Sequence, residues 1–334
     1  MTSKLAPQYH IYNGDALSAY DSWAKTSAPV TIFSDGAYGV GGFDGDPKTP
    51  AKLAEWYEPH VEAWSKYATA QTALWFWNTE IGWATVHPVL VSHGWKYVQL
   101  AIWDKGVGHI AGNVNSNTIR RLPTVTEVVG LYCREPVFES KNSTLAGMSM
   151  QEWLRAEWKR SGLPYSDANK ACGVKNAASR KYLAADHLWY QPPAEHMLAM
   201  ARYTNEHGKK IEANEKPYFH VDGLDFSNES AWNQLRYKWN HLHGLTNVFT
   251  RSSLRSTERL KVNGKNVHTN QKPLDLCEYL VNATTDPGDA MWEPFGGLGS
   301  ASVAAAASGR IPFYAEVSSE FAEATRARLE VFER

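Results

Sequence analysis

Short apolar runs of strand length alternate with amphipathic stretches over the first 140 residues. HIYNGDAL from His10, VTIFSDGAYGV from Val30, TALWFWNTE from Thr72, YVQLAIWDK from Tyr97 and TEVVGLYCRE from Thr126 read as strands, and a helical period covers Leu53 to Tyr67. The tail repeats the pattern: DAMWEPFGGLGS from Asp289 is strand then glycine turn, SASVAAAASGR is a helix ended by Gly309, and IPFYAEV is a strand before a closing amphipathic helix. Strands alternating with helices predict βαβ units and a mostly parallel sheet. From about Lys141 to Lys265 the period changes to helices separated by polar loops. Residues 141–264 are therefore expected to form an inserted, mainly helical module between two pieces, 1–140 and 265–334, of one α/β domain.

Composition changes this picture little. The 334 residues are 43% hydrophobic and 12% aromatic, enough for a sizeable core. The formal net charge is -1, so a nucleic-acid partner would have to be held by local basic patches and not by a global field. Cys133, Cys172 and Cys277 show no paired spacing suited to zinc or redox work, and no metal site is expected. The opening MTSKLAPQYHIYNGD lacks an apolar signal core, and no run of about 18 apolar residues occurs, which points to a cytoplasmic protein without membrane contact.

Candidate chemistry begins in the tail. Phe295-Gly296-Gly297-Leu298-Gly299 follows a strand and opens an alanine-rich helix, where glycines let the backbone approach a ligand and expose helix N-terminal amides. Alone, a tight strand-to-helix turn with no ligand is the alternative. One strand later, Glu316 ends an apolar run about 20 residues after the glycines, placed to accept hydrogen bonds from ribose hydroxyls.

Upstream, His268-Thr269-Asn270-Gln271-Lys272-Pro273-Leu274 leads through an amphipathic helix to Asp286-Pro287-Gly288-Asp289 and then Glu293-Pro294-Phe295. In order, spacing and flanking helix this resembles the amino-group (N6-adenine and N4-cytosine) DNA methyltransferases of the permuted β type. In that family a His-Pro-Thr-Gln-Lys-Pro-like string leads a helix into Asp-Pro-Phe-x-Gly-x-Gly. The resemblance implies S-adenosylmethionine as cofactor, contacted by Asn270, Gln271, Lys272, Pro273, Glu293, Pro294, Phe295, Gly296, Gly297 and Gly299. It also implies a Rossmann-like methyltransferase sheet whose last strand is antiparallel. Thr269 and Asn270 are shuffled relative to the family string, and Glu293 stands where Asp is commoner.

The same resemblance predicts a second signature near the head: a strand ending in Asp, Asn or Ser, then Pro-Pro, then an aromatic residue. Ser34-Asp35-Gly36-Ala37-Tyr38 fits at the ends and departs in the middle. An exocyclic amine is a poor nucleophile because its lone pair is delocalised into the ring, so a site must accept its hydrogens. Asp35 and the Gly36 carbonyl would be those acceptors, and Tyr38 the ring that stacks on a flipped base. Gly36-Ala37 in place of two prolines is expected to leave this turn less stiff. A plain β-turn is the alternative for these residues. Asp15 could lie beside the cofactor's adenine or cap a helix. Ile102-Trp103-Asp104-Lys105 and Glu127 resemble a family string shaping the target-base pocket, although a structural role is the simpler reading. Gly39 to Gly45 reads as a mobile loop that closes over the base.

For DNA contact, Trp153 to Leu183 resembles a helix-turn-helix with a basic second helix. Lys170, Lys175, Arg180 and Lys181 are its candidate DNA-binding residues, beside Arg155, Lys159 and Arg160. Arg120 and Arg121, in a long polar loop, are further candidates. The expectation is a site-specific enzyme that methylates adenine N6 in duplex DNA, as monomer or homodimer, with a cognate restriction endonuclease as candidate partner. The alternatives are N4-cytosine methylation, a DNA- and cofactor-binding protein without turnover and, more weakly, an RNA substrate.

Overall fold

The computed structural model describes residues 9–43, 45–109, 120–138, 147–221, 228–255, 259–262, 265–266 and 271–333. The chain divides into two compact units, one of residues 1–134 with 237–334 and one of 135–236. The second boundary differs from the periodicity, which runs the insert on to 264. Residues 237–264 belong instead to the larger unit, because a strand at Val248–Thr250 pairs in parallel with the sheet edge.

The larger unit is an eight-stranded sheet with helices on both faces. In chain order its elements are β1 (His10–Asn13), α1 (Tyr20–Thr26), β2 (Thr31–Ser34), α2 (Leu53–Tyr67), β3 (Ala73–Asn78), α3 (Glu80–Ser92), β4 (Trp95–Asp104) and β5 (Thr126–Arg134). The smaller unit then contributes α4 (Met150–Ser161), α5 (Asp167–Ala171), α6 (Ala194–His207) and α7 (Glu229–Asn233). Back in the larger unit come β6 (Val248–Thr250), α8 (Leu274–Thr284), β7 (Ala290–Glu293), α9 (Ser300–Ala307), β8 (Ile311–Glu316) and α10 (Ser319–Leu329). The spatial order is β1-β8-β7-β2-β3-β5-β4-β6. Among the described strands of this sheet only β5 runs antiparallel to both its neighbours, the one antiparallel strand that the family resemblance implies. The distant tail strand β7 pairs directly with β2 of the head, through Met291 with Thr31 and Trp292 with Ile32.

Strands such as β3, ALWFWN, are buried along their whole length, as a parallel strand covered on both faces must be. One face packs on Tyr20, Trp23, Tyr57, Trp64, Trp292 and Phe313, the other on Phe33, Trp77, Trp103, Leu276, Leu280 and Ala304. Helix α9, SASVAAAA, is buried on nearly every side, and its small side chains let it sit close to α8 and the sheet. The parallel strands all point their carboxyl ends the same way, so Asn13, Ser34, Asn78, Asp104, Glu293 and Glu316 end strands on one edge. Open α/β sheets bind ligands at that edge.

In the smaller unit α4 to α7 surround Trp153, Trp158, Met197, Met200, Phe219 and Trp232. The predicted basic second helix is not a long one. Residues 167–171 make little more than one turn, and 178–182 form a separate five-residue π turn after Gly173 takes a left-handed φ of 64°. Two of the predicted surface cations are internal ties: Arg155 donates to the Leu183 carbonyl, and Arg160 clamps buried Glu157, which also accepts from the Phe219 amide. Lys170, Lys175, Arg180 and Lys181 are exposed, with Lys170 paired to Asp167 at 2.7 Å.

Candidate active site

A cleft of about 1330 Å³ opens at the carboxyl edge of the larger unit, walled on one side by the head of the chain and on the other by its tail. Asp35, Gly36 and Tyr38 line it together with Glu293, Pro294, Phe295, Gly296 and Gly297. Asp15, Gln271, Lys272 and Glu316 of the expected set line it too. Ala37, Pro273 and Gly299 stand behind the wall: Ala37 is fully buried, Pro273 precedes α8 and Gly299 caps α9. Asn270 lies outside the described residues, as do His268, Thr269 and the asparagines of the polar loop; Arg120 and Arg121 are exposed.

The turn after β2 is held by partners absent from any motif. The Ala37 carbonyl accepts from Tyr57 Oη on α2 at 3.1 Å and from Asn78 Nδ2 at the end of β3 at 2.8 Å. Gly36 leaves no room for a side chain, since a Cβ there would sit 2.7 Å from both the Phe295 ring and Tyr57 Oη. The missing prolines therefore do not leave a slack turn. Packing demands glycine at 36, and two buried donors restrain the carbonyl at 37.

Asp35 sits in an ionic cluster. Lys272 Nζ lies 2.9 Å from Asp35 Oδ2, 3.5 Å from Glu127 Oε2 and 3.0 Å from the Tyr38 hydroxyl. The Tyr38 hydroxyl is within hydrogen-bond reach of Asp35 Oδ1 at 2.9 Å and Glu127 Oε2 at 3.1 Å, so its single proton can serve either acid. Glu127 is bound on its far side by Trp77 Nε1 at 2.7 Å and by Lys105. Burial pushes the Asp35 carboxyl above the usual carboxylate range, Lys272 opposes that shift and Glu127 adds to it. Glu127 is also pushed up by burial, but Lys272 and Lys105 outweigh this and hold it at about 2. Lys272, expected among the cofactor contacts, thus turns its ammonium to Asp35 and Glu127, while its carbonyl accepts from Ser300 Oγ at 3.0 Å. Glu127, for which a structural role is the simpler sequence reading, belongs to the same cluster.

The cofactor-side acids are also partnered. Glu293 accepts from the Ala301 amide at 3.2 Å, the Ser302 amide at 2.8 Å and the Ser302 hydroxyl, holding the first turn of α9. Burial raises its carboxyl to about 7. Glu316 accepts from the Gly297 amide at 2.8 Å and the Ser318 amide at 2.9 Å, bracing the glycine turn. Gly297 and Gly299 take left-handed φ of 51° and 64°, and a Cβ on Gly296 would meet the Tyr314 ring at 1.9 Å. Asp15 caps a short helix through the Leu17 amide at 2.9 Å while lining the cleft. The segment from Gly39, expected to be loose, is tied to buried Asp46, whose carboxylate accepts from the amides of Gly39, Val40 and Gly42 at 2.8, 3.2 and 2.8 Å.

The profile of the DNA methylase family matches residues 30–326, a span that includes both walls of the cleft. The chain belongs to this family of N6/N4 DNA methylases. The fold of the methylase is a mostly parallel α/β sheet with one antiparallel strand. Similar solved structures include M1.HpyAVI in complex with SAM, 14% identical, covering 96% of the methylase and 100% of that chain at a TM-score of 0.48. TTHA0409 of Thermus thermophilus, complexed with S-adenosyl-L-methionine, is 13% identical over 97% of the methylase and 94% of its own chain, with a TM-score of 0.47. The cytosine-N4-specific PvuII DNA methyltransferase is 12% identical over 98% and 89%, at 0.46. Among the described residues of the methylase no helix is long and apolar enough to cross a membrane.

Proposed function

We propose that this DNA methylase methylates the exocyclic amino group of adenine at N6 in duplex DNA, on a base turned out of the helix into the cleft beside Asp35 and Tyr38. The observation that carries the reading is the shared cleft, in which the Asp35–Tyr38 turn faces the glycine turn and Glu316 across one cavity. About 300–1000 Å³ houses one drug-sized ligand, so this cleft has room for a cofactor and a base together.

The residues fit the cofactor. Leu17 and Val317, both exposed and apolar at the cleft mouth, suit the faces of an adenine ring, and Glu316 ends its strand where ribose hydroxyls could donate to it. Asp35 suits a neighbouring positive charge, and Glu293 holds the first turn of α9 beside it. When bound, S-adenosylmethionine supplies the methyl group as an electrophile, its sulfur keeping the electrons of the broken carbon–sulfur bond. Asp35 accepts hydrogens of the amine, favours a pyramidal nitrogen with a localised lone pair, and takes the proton that nitrogen sheds as the new nitrogen–carbon bond forms. The Tyr38 ring, anchored by its hydroxyl, offers a stacking face. Exposed Lys170, Lys175, Arg180 and Lys181, with Arg120 and Arg121, are the proposed phosphate contacts.

The test is transfer of labelled methyl from S-adenosylmethionine to mixed genomic DNA, followed by nucleoside analysis. N6-methyladenine is the expected product. N4-methylcytosine would move the reading to the other amine, and cofactor binding without transfer would end the enzymatic reading.

A further inference from the structure

We propose that Lys272 and Glu127 act as a pair of positioning residues on Asp35: the ammonium keeps the carboxylate ionised, and Glu127 draws part of that ammonium away so that an Asp35 oxygen remains available to the incoming amine. The inference rests on the reading of Asp35 as amine acceptor and adds what sets its charge. A carboxyl buried without a cation is neutral near pH 7, and a neutral acid presents a hydroxyl where an acceptor is needed. A carboxylate locked in an exclusive buried ion pair has the opposite fault, since its lone pairs are already taken.

The geometry lies between these limits. The Lys272 ammonium is 2.9 Å from Asp35 and 3.5 Å from Glu127, and it also donates to the Tyr38 hydroxyl at 3.0 Å. Glu127 is itself fixed by Trp77 and Lys105, so it forms a stationary anchor on β5 for a shared cation. The groups that face Asp35 are Tyr38 from its own turn, Tyr57 from α2, Glu127 from β5, Lys272 from the segment before α8, Cys277 from α8 and Glu293 from β7. Of these, Lys272 lowers the Asp35 carboxyl and Glu127 raises it, so removing each shifts the acid in opposite directions.

The experiment is single-turnover methyl transfer against pH for the wild type, Lys272→Met and Glu127→Gln, with S-adenosylhomocysteine affinity measured on each. Loss of the ammonium should move the acid limb of the rate profile up by about one pH unit, and loss of the glutamate should move it down, with affinity within roughly threefold of wild type. A purely structural role would not move the limb in two directions. If the wild type transfers methyl but both limbs stay put, move together, or fall only in step with cofactor affinity, the pair does not tune Asp35. If the wild type transfers nothing, the enzymatic reading itself has failed. Should Lys272→Met be too slow to follow, Lys272→Arg, which keeps the cation, must restore the wild-type limb and most of the rate; failure to do so overturns the proposal.

Discussion

Two acids stand at the ends of adjacent parallel strands, Asp35 just past β2 and Glu293 at the end of β7, and they have opposite surroundings. Glu293 is 3% exposed and gives its oxygens to the amides of Ala301 and Ser302 and to the Ser302 hydroxyl. Asp35, its side chain 18% exposed, meets a lysine shared with a second acid and the hydroxyl of Tyr38. Both carboxyls are raised by burial. The difference teaches that position at a strand end marks a residue as near the site without assigning its work. An acid spent on helix amides builds the cradle, and the proposal for Asp35 is that an acid balanced by a shared cation keeps an oxygen for chemistry.

The sharpest way to break this comparison is to remove each acid. Asp35→Ala is expected to lower the transfer rate roughly 100- to 10,000-fold while leaving cofactor affinity nearly unchanged, as read by single-turnover kinetics and calorimetric titration. Loss of cofactor binding in step with rate would make Asp35 a scaffold like Glu293. On the cradle side, Glu316→Ala frees the Gly297 and Ser318 amides. A charge-assisted bond contributes about 1.5–3 kcal/mol, so loss of the proposed ribose contact should lower cofactor affinity at least tenfold, with the rate at saturating cofactor less affected.

The turn after β2 can be probed by introducing the proline of the family motif. Gly36→Pro should destabilise the fold by about 1–3 kcal/mol, seen as a lower Tm, because any Cβ there strikes the Phe295 ring and Tyr57. A gain in both stability and rate would mean that the turn is slack after all. Glu293 offers a pH test. Its folded carboxyl is raised to about 7 from an ordinary 4.5, so the stability it contributes is fully present below pH 4.5 and is lost as pH rises through about 7. Glu293→Gln should flatten that part of the curve in denaturant titrations at pH 4.5 and 8. The smallest effect is expected at the surface: Lys175→Ala or Arg180→Ala should weaken binding across DNA sequences alike and reduce the salt slope by about one for each phosphate no longer neutralised. An unchanged slope would remove that residue from the interface.

Much of the architecture was legible without coordinates. Leu53–Tyr67 is a helix with the expected bounds, TEVVGLYCR is a strand, and the tail's strand, glycine turn, helix and strand follow as written. These follow from periodicity, which records which side of each element faces the core. The string Gln271 to Pro273, the glycines and Asp35–Tyr38 were legible as parts because each is a contiguous run. The basic stretch from Lys170 to Lys181 differs in form from the expectation, since a count of cations does not show that Arg155 and Arg160 are spent on Leu183 and Glu157 or that the stretch after Gly173 forms only a five-residue π turn.

The order of elements along the chain thus determined a mostly parallel α/β sheet, and two contiguous motifs, through their family resemblance, marked two candidate half-sites. Only tertiary structure decided that Ala37 is an anchor gripped by Tyr57 and Asn78, that Asp46 pins the loop after Tyr38, and that Lys272 reaches across to Asp35 and Glu127. The reason is distance along the chain. Local pattern fixes which way a side chain points from its own element, but the charge and hydrogen-bond partners that set its chemistry come from remote segments. Lys272 and Tyr38, 234 positions apart, meet because β7 pairs with β2.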